Sequence, residues 1–132
     1  MEEHALAQGN TFPWHELYVA NADAAIDFYD KVLGMGSKAM DMGEMGTYKM
    51  LTVNGTAVCG IMETTNLPHP NVPPHWAVYL AVDDVDARLE KVRAHGGSVV
   101  VEPFDIPSVG RMALISDPQG AHIWLFKHEQ PA

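Results

Sequence analysis

The 132-residue sequence has little cysteine and little positive charge. Cys59 is the only cysteine, so the chain can form no internal disulfide, and we expect a reducing, cytoplasmic location. Lys and Arg number 8 against 17 Asp and Glu, which gives a formal net charge of −9. Nucleic acids and anionic lipid surfaces bind clusters of Lys and Arg, which this sequence lacks. We therefore expect no nucleic acid and no membrane among its partners.

Long hydrophobic runs are also absent. The longest, Trp76 to Val82, is far shorter than the ~20 apolar residues that a membrane-spanning helix needs. The N-terminal residues MEEHALAQGN are acidic and contain no basic segment followed by an apolar one, so we expect no signal peptide. Hydrophobic residues make up 47% of the chain and charged residues 19%, as in folded globular proteins. Length and composition therefore predict a single domain over residues 1–132.

A repeated stretch organises the chain. The residues WHELYVANADAAIDFYDKVLG, from 14 to 34, return as AVYLAVDDVDARLEKVRAHGG, from 77 to 97. Each copy predicts a strand followed by a helix. Asn21 and Asp84 are the expected N-caps, and the glycines Gly34 and Gly96 are expected to end the helices. Apolar residues at helical spacing predict one buried face on each helix: Ala22, Ala25, Ile26, Tyr29, Val32 and Leu33 in the first, and Val85, Leu89 and Val92 in the second.

The rest of each copy predicts three more strands, so that the chain consists of two βαβββ modules. Asn54-Gly55 is a strong hairpin signal, and Asp117-Pro118-Gln119-Gly120 is a tight-turn sequence. The modules are expected at 12–65 and 76–128, joined by the proline-rich linker 66–75, and the fold class is α+β. Alternating and apolar segments predict strands at 14–20, 37–44, 47–53, 56–64, 76–82, 98–104, 110–116 and 121–127.

Three motifs carry a resemblance to a known family: IDFYDKVLGM at the end of the first helix, AVDDVDA at the start of the second, and SDPQGAHIWLF near the C-terminus. Together they resemble the vicinal oxygen chelate superfamily, which contains glyoxalase I, extradiol dioxygenases and bleomycin-binding proteins. The second module is similar to a glyoxalase-like subgroup of uncertain activity. The resemblance implies that the mixed sheet of the two modules curls into a cup that holds the metal and the substrate.

The superfamily's metal ligands are not present at the matching positions. The resemblance places one ligand on the first and one on the last strand of each module, which correspond here to Trp14, Gly60, Ala77 and Trp124. A divalent ion needs imidazole or carboxylate donors, and none of these residues offers one. We therefore predict no metal cofactor.

A displaced metal site is the alternative. Strand alternation places Glu16, His75 and His122 on the same faces as the missing ligands, each two residues away. This set would make the protein a metal-dependent lyase, isomerase or dioxygenase of the superfamily. Without a metal, Glu16 is the candidate catalytic general base of an isomerase. Whether the protein is an enzyme stays open at this point.

The inward strand faces are rich in aromatic residues. Trp and Tyr rings stack on organic ligands without a metal, so the first hypothesis is a glyoxalase-like protein that binds a small aromatic or polar molecule. The alternative is that the tryptophans only fill the core. Arg111 is expected to bind an anionic group of the ligand or to form a salt bridge at the rim. The expected ligand-binding residues are Trp14, Glu16, Tyr18, Gly60, Met62, Tyr79, Arg111, His122 and Trp124.

A homodimer is expected as well. The superfamily resemblance implies cups that are commonly completed across a two-fold axis, and the stiff linker 66–75 favours pairing with a second copy. The alternative is that the two modules pair within one chain. The identity of the ligand does not follow from the sequence.

Overall fold

The computed structural model describes residues 12–67, 72–107 and 109–129. Two compact units are present. One is Trp14–Ala77, and the other contains the described residues from Val78 onwards together with Phe12 and Pro13. The boundary between the units falls two residues beyond the predicted linker, 66–75. Residues 68–71 of this linker lie outside the described residues. The single domain stays a prediction.

The first unit contains one helix and a four-stranded sheet. Its elements are β1 (Trp14–Val19), α1 (Ala22–Leu33), β2 (Gly36–Asp41), β3 (Thr47–Val53) and β4 (Thr56–Glu63). The strand order is β2-β3-β4-β1. Strands β1 and β4 are parallel, and the other pairs are antiparallel. The sheet is therefore mixed, and β4 lies between β1 and β3.

The second unit repeats this arrangement. Its elements are β5 (His75–Ala81), which begins in the last residues of the first unit, α2 (Val85–Ala94), β6 (Ser98–Ile106), β7 (Gly110–Ser116) and β8 (His122–His128). The strand order is β5-β8-β7-β6, with β5 and β8 parallel. The predicted α+β fold of tandem βαβββ modules is confirmed. Within the described residues, neither helix is long and apolar enough to cross a membrane.

The helix ends are those that the sequence predicts. Asn21 Oδ1 accepts a hydrogen bond of 3.0 Å from the backbone N–H of Ala24, and Asp84 caps α2 in the same way. Gly34 and Gly96 have φ values of 72° and 90°, which a side chain would disfavour. Polar N-cap residues and helix-ending glycines interact with residues close by in the chain, so the sequence predicts them without the tertiary fold.

Each unit has its own apolar cluster between its helix and its sheet. In the first unit the cluster contains Leu17, Ala22, Leu51, Cys59 and Ile61. The opposite face of each sheet carries the site candidates other than Arg111, because side chains alternate along a strand. The corresponding cluster in the second unit is Val82, Val85, Leu89, Ala113 and Leu125.

The predicted buried face of α1 is wrong in its last turn. Ala25, Ile26 and Tyr29 pack against the cluster, but Val32 and Leu33 are exposed. The strand that follows the helix, β2, is exposed along its whole length and offers little apolar surface to cover them. Helical spacing identifies a face but not how far the neighbouring sheet extends beneath it.

Candidate functional site

A chain of three hydrogen-bonded side chains is the main polar feature of the first unit. Trp14 Nε1 donates a hydrogen bond of 2.9 Å to the Tyr48 hydroxyl, which in turn donates one of 2.6 Å to Glu16 Oε2. Glu16 is 5% exposed. We call Trp14, Tyr48 and Glu16 the polar chain. It joins β1 to β3, which are not neighbours in the sheet.

Gly60 makes this contact across the sheet possible. It lies on β4, where it pairs with Glu16 of β1 and with Met50 of β3. A Cβ atom built on Gly60 would overlap both the Tyr48 hydroxyl and the Glu16 carboxylate. The absence of a side chain on the intervening strand therefore leaves the space through which Tyr48 reaches Glu16.

The surroundings of Tyr48 keep its hydroxyl protonated. Burial raises the pKa of Tyr48 well above its usual value, and the negative charge of Glu16 raises this pKa further. At neutral pH the residue is a neutral hydrogen-bond donor. The sequence analysis missed Tyr48. The Asn54-Gly55 hairpin alone would not have identified it. Continued without a shift, its register pairs Met50 with Cys59, whereas the register shift between Leu51 and Thr52 places Met50 opposite Gly60 and Tyr48 on the same face.

The four positions matched to metal ligands do not suit a divalent ion. The Trp14 indole is a donor in the polar chain, and Gly60 has no room for a side chain. Ala77 is a buried methyl group, and Trp124 stacks on Tyr79. Divalent ions bind imidazole, thiolate or carboxylate groups, and the four residues present none.

The displaced set has other partners. Glu16 accepts the Tyr48 hydroxyl. His75 Nδ1 lies 2.7 Å from the carbonyl oxygen of Pro73, and its ring stacks on Tyr18 with the centroids 4.8 Å apart. His122 Nδ1 lies 2.9 Å from the carbonyl oxygen of Gly120. Among the residues of 12–67, 72–107 and 109–129, no group of three or more His, Cys, Asp or Glu side chains is arranged to hold a metal ion.

The second unit contains a group of aromatic rings on the sheet face opposite its helix. Tyr79 and Trp124 pair in the β5–β8 register and stack with centroids 5.3 Å apart and an angle of 9° between the rings. Phe104 meets Trp124 edge-on at 6.1 Å, and Phe126 meets Tyr79 edge-on at 6.5 Å. Trp124 is 8% exposed and Phe104 39%. We call these four residues the aromatic cluster; Phe104 is its most accessible ring.

The remaining predicted binding residues are divided between the two units. Tyr18 is buried and pairs with the half-buried Met62 in the β1–β4 register, on the face that Glu16 and Gly60 share. His122 is exposed at the start of β8. The predicted residues to which alternation assigned a strand face lie on that face; Arg111 was predicted from the loop before it and had no such assignment.

Arg111 lies on the helix side of the second sheet. Its Nε and Nη2 atoms each donate a hydrogen bond of 3.0 Å to the Asp86 carboxylate, and Nη1 donates one of 2.8 Å to Asp105. The hydrogen bonds from Arg111 hold the pKa of Asp86 below its usual value. The next residue, Met112, pairs with Phe126 of the aromatic cluster, so Arg111 points to the opposite face. The structure therefore gives Arg111 a surface salt bridge, which was one of its two expected roles.

Cys59 is buried in the cluster beneath α1. Burial raises the pKa of its thiol to about 11, so the thiolate is scarce at neutral pH. In this environment the Cys59 side chain packs as a small apolar residue.

Comparison with known proteins identifies relatives over most of the chain. The family model described as the Glyoxalase/Bleomycin resistance protein/Dioxygenase superfamily matches residues 11–125. A Mycobacterium bovis protein named "Putative glyoxylase CFP32" is 47% identical over 111 residues, which are 84% of this chain and 41% of that protein. The anthracycline biosynthesis protein DnrV of Streptomyces peucetius is 30% identical, with 82% of this chain and 43% of that protein covered. The chain thus spans about two fifths of the length of these curated relatives.

Solved structures share the fold. Methylmalonyl-CoA epimerase from Mycobacterium tuberculosis has a TM-score of 0.61 at 21% identity, with 98% of this chain and 94% of that chain covered. The hypothetical protein BH1468 from Bacillus halodurans has a TM-score of 0.63 at 15% identity, with 95% and 99% covered. At these identities the likeness concerns the fold and not the reaction.

Proposed function

Because the chain belongs to the glyoxalase/bleomycin resistance protein/dioxygenase superfamily, we propose that it binds a small organic molecule against the aromatic cluster, without the metal that the superfamily commonly uses. The observation that carries this proposal is the stacked pair of Tyr79 and Trp124 with Phe104 edge-on beside it. The positions matched to metal ligands offer no donor for an ion. A ligand that is held by contacts with aromatic rings needs no metal ion.

The cluster favours a flat, uncharged or cationic ligand. Aromatic faces carry negative partial charge and attract ring edges and cations. The formal net charge of −9 disfavours anions at long range. Arg111, the side chain predicted to attract an anionic group, is paired with Asp86 and Asp105. The names of the two curated relatives refer to small-molecule chemistry, which agrees with an organic ligand of this kind.

Nuclear magnetic resonance of the indole N–H groups tests the proposal with naphthol as the probe. The chain has three tryptophans, so Trp14→Phe and Trp76→Phe variants assign the three signals. Naphthol should shift the Trp124 signal until it saturates, whereas Trp76, beside α1, should not respond. Cyclohexanol, which has the hydroxyl but no aromatic ring, is the control. A Trp124 signal that does not move up to the solubility limit of naphthol would contradict the proposal.

An enzyme is the alternative. A metal-dependent lyase, isomerase or dioxygenase would need a divalent ion, and a metal-free isomerase would use Glu16 as its base. The mycobacterial relative's name favours glyoxalase-like chemistry in that protein. Elemental analysis of protein purified without chelators separates the metal-dependent enzyme from the two metal-free functions. Stoichiometric nickel, zinc, iron or manganese would overturn the metal-free proposal.

We also propose that the chain forms a homodimer through α1. Superfamily members commonly act as dimers. Phe28, Val32 and Leu33 of this helix are exposed, and so is Trp76, which contacts Tyr29 edge-on. Exposed apolar side chains that lie together are typical of protein interfaces.

Light scattering at micromolar concentration tests the dimer. Val32→Asp should give a monomer, since it places a charge in the proposed interface. Val53→Asp is the matched control, because Val53 is an exposed valine at the end of β3. A monomer mass for the unchanged protein would refute the dimer.

The cytoplasmic location stays a prediction.

A further inference from the structure

We propose that the polar chain of Trp14, Tyr48 and Glu16 has taken the place of the superfamily's metal in the first unit, and that Gly60 is the residue that admits it. This inference extends the metal-free part of the proposed function. It assigns a role to Tyr48, which holds Glu16 in position. It also assigns a role to Gly60, which lies within a strand and not in a turn.

The location of the polar chain supports this replacement. Two of the superfamily's ligand positions correspond to Trp14 on β1 and Gly60 on β4. Trp14 is the first member of the polar chain, and Gly60 lies directly beneath the contact between Tyr48 and Glu16. The hydrogen bonds therefore connect one matched position, Trp14, to the space directly beside the other, Gly60.

The polar chain also supplies what a buried carboxylate needs. A carboxylate out of contact with water is costly unless it is paired or hydrogen-bonded, and a bound cation is one solution. Here Glu16, 5% exposed, accepts the Tyr48 hydroxyl at 2.6 Å, and the oxygen of that hydroxyl accepts the Trp14 N–H. Within the described residues, every buried side-chain nitrogen or oxygen has a hydrogen-bond partner. The arrangement is satisfied without an ion.

Gly60 and Tyr48 depend on each other. Any side chain at position 60 would meet the ring and the hydroxyl of Tyr48 as well as the Glu16 carboxylate. The backbone of Gly60 is not in the left-handed region, so space alone requires a glycine there. A carboxylate ligand at position 60 and the observed position of the Tyr48 ring are therefore mutually exclusive.

A double-mutant cycle tests the dependence by thermal unfolding. Gly60→Ala should lower the midpoint of unfolding by more than about 5 °C in the unchanged protein, and by less than about 2 °C in the Tyr48→Ala background, where the space is empty. Tyr29→Ala is the matched control background and should leave the full effect. If Tyr48→Ala does not fold, Tyr48→Leu serves, since it also removes the hydroxyl and the far edge of the ring. Equal effects of Gly60→Ala in all backgrounds would overturn the proposal.

Two spectroscopic measurements detect the polar chain itself. Tyr48→Phe should shift the Trp14 indole N–H signal and leave that of Trp76 in place, whereas Tyr29→Phe should do the reverse, because Trp76 Nε1 lies 3.3 Å from the Tyr29 hydroxyl. Cobalt(II) added to the unchanged protein should produce no bound-metal absorption. Stoichiometric cobalt binding that is lost in Glu16→Gln would overturn the proposal. Absence of naphthol binding would contradict only the ligand proposal, since no step of the cycle uses naphthol.

Discussion

The Tyr48 hydroxyl donates a hydrogen bond of 2.6 Å to the Glu16 carboxylate across an intervening strand. Hydrogen bonds to an ionised acceptor are shorter and about twice as strong as those between neutral groups. The bond therefore makes a large contribution for a single side-chain contact, and it depends on Gly60 of β4 for its space.

Tyr48→Phe should destabilise the protein by about 1.5 to 3 kcal/mol, because it leaves a buried carboxylate without this donor. Tyr29→Phe is the matched control. The Tyr29 hydroxyl also lies near a tryptophan N–H, but that contact is long and exposed, so we expect a loss below about 1 kcal/mol. Urea unfolding of the two variants measures both values. A loss for Tyr48→Phe no larger than that for Tyr29→Phe would show that the bond to Glu16 contributes little.

Stability should fall at alkaline pH. The pKa of Cys59 is raised from its ordinary 9.0 to about 11, and the pKa of Tyr48 is also raised. Both groups are neutral when protonated, so the unfolded chain releases their protons at a lower pH than the folded protein does. The contribution of these two groups to the unfolding free energy is therefore fully present below pH 9 and decreases as the pH rises. Urea unfolding between pH 8 and 11 checks this.

Variants separate the two groups in this alkaline decrease. Cys59→Ala should flatten the decrease that begins near pH 9, and Tyr48→Phe the decrease that begins near pH 10. The comparison uses slopes, because each substitution also changes the stability at neutral pH. An unfolding free energy that stays constant from pH 9 to 11 in the unchanged protein would contradict the buried environment of Cys59.

Trp124→Ala should cost about 3 to 5 kcal/mol of stability, because the ring is 8% exposed and the substitution opens a cavity beside Tyr79. Phe104→Ala is the control within the aromatic cluster. Phe104 is 39% exposed, so Phe104→Ala should lower the stability clearly less than Trp124→Ala does. It should still weaken naphthol binding. Urea unfolding and the naphthol titration measure the two effects. A nearly neutral Trp124→Ala would show that the ring contributes little to the packing of the second unit.

Arg111→Ala should leave naphthol binding unchanged, because the guanidinium lies on the helix side of the sheet and is held by Asp86 and Asp105. We expect the stability of the variant to change little, since exposed ion pairs contribute little. Titration of the Trp124 indole signal in this variant gives the measurement. Loss of binding would return Arg111 to the list of ligand-binding residues.

Much of the candidate site could be predicted from strand alternation. The pattern placed Glu16, Tyr18, Gly60, Tyr79 and Trp124 on the faces opposite the helices, because consecutive side chains of a strand point to opposite sides. Tyr48 was missed, since a lone tyrosine on a strand gives no local sign of its partner. Its contact with Glu16 follows only from the pairing of β3 with β4 and from the space that Gly60 leaves.

The sequence by itself determined the order of the elements, the helix ends at Asn21, Asp84 and Gly34, and the two-module α+β fold. These features depend on interactions between residues close together in the chain, which a local pattern records. Only the tertiary structure decided that Tyr48 meets Glu16 and that Arg111 pairs with Asp86. Long polar side chains find their partners by proximity in space, and that proximity depends on strand register and on the space that glycine leaves.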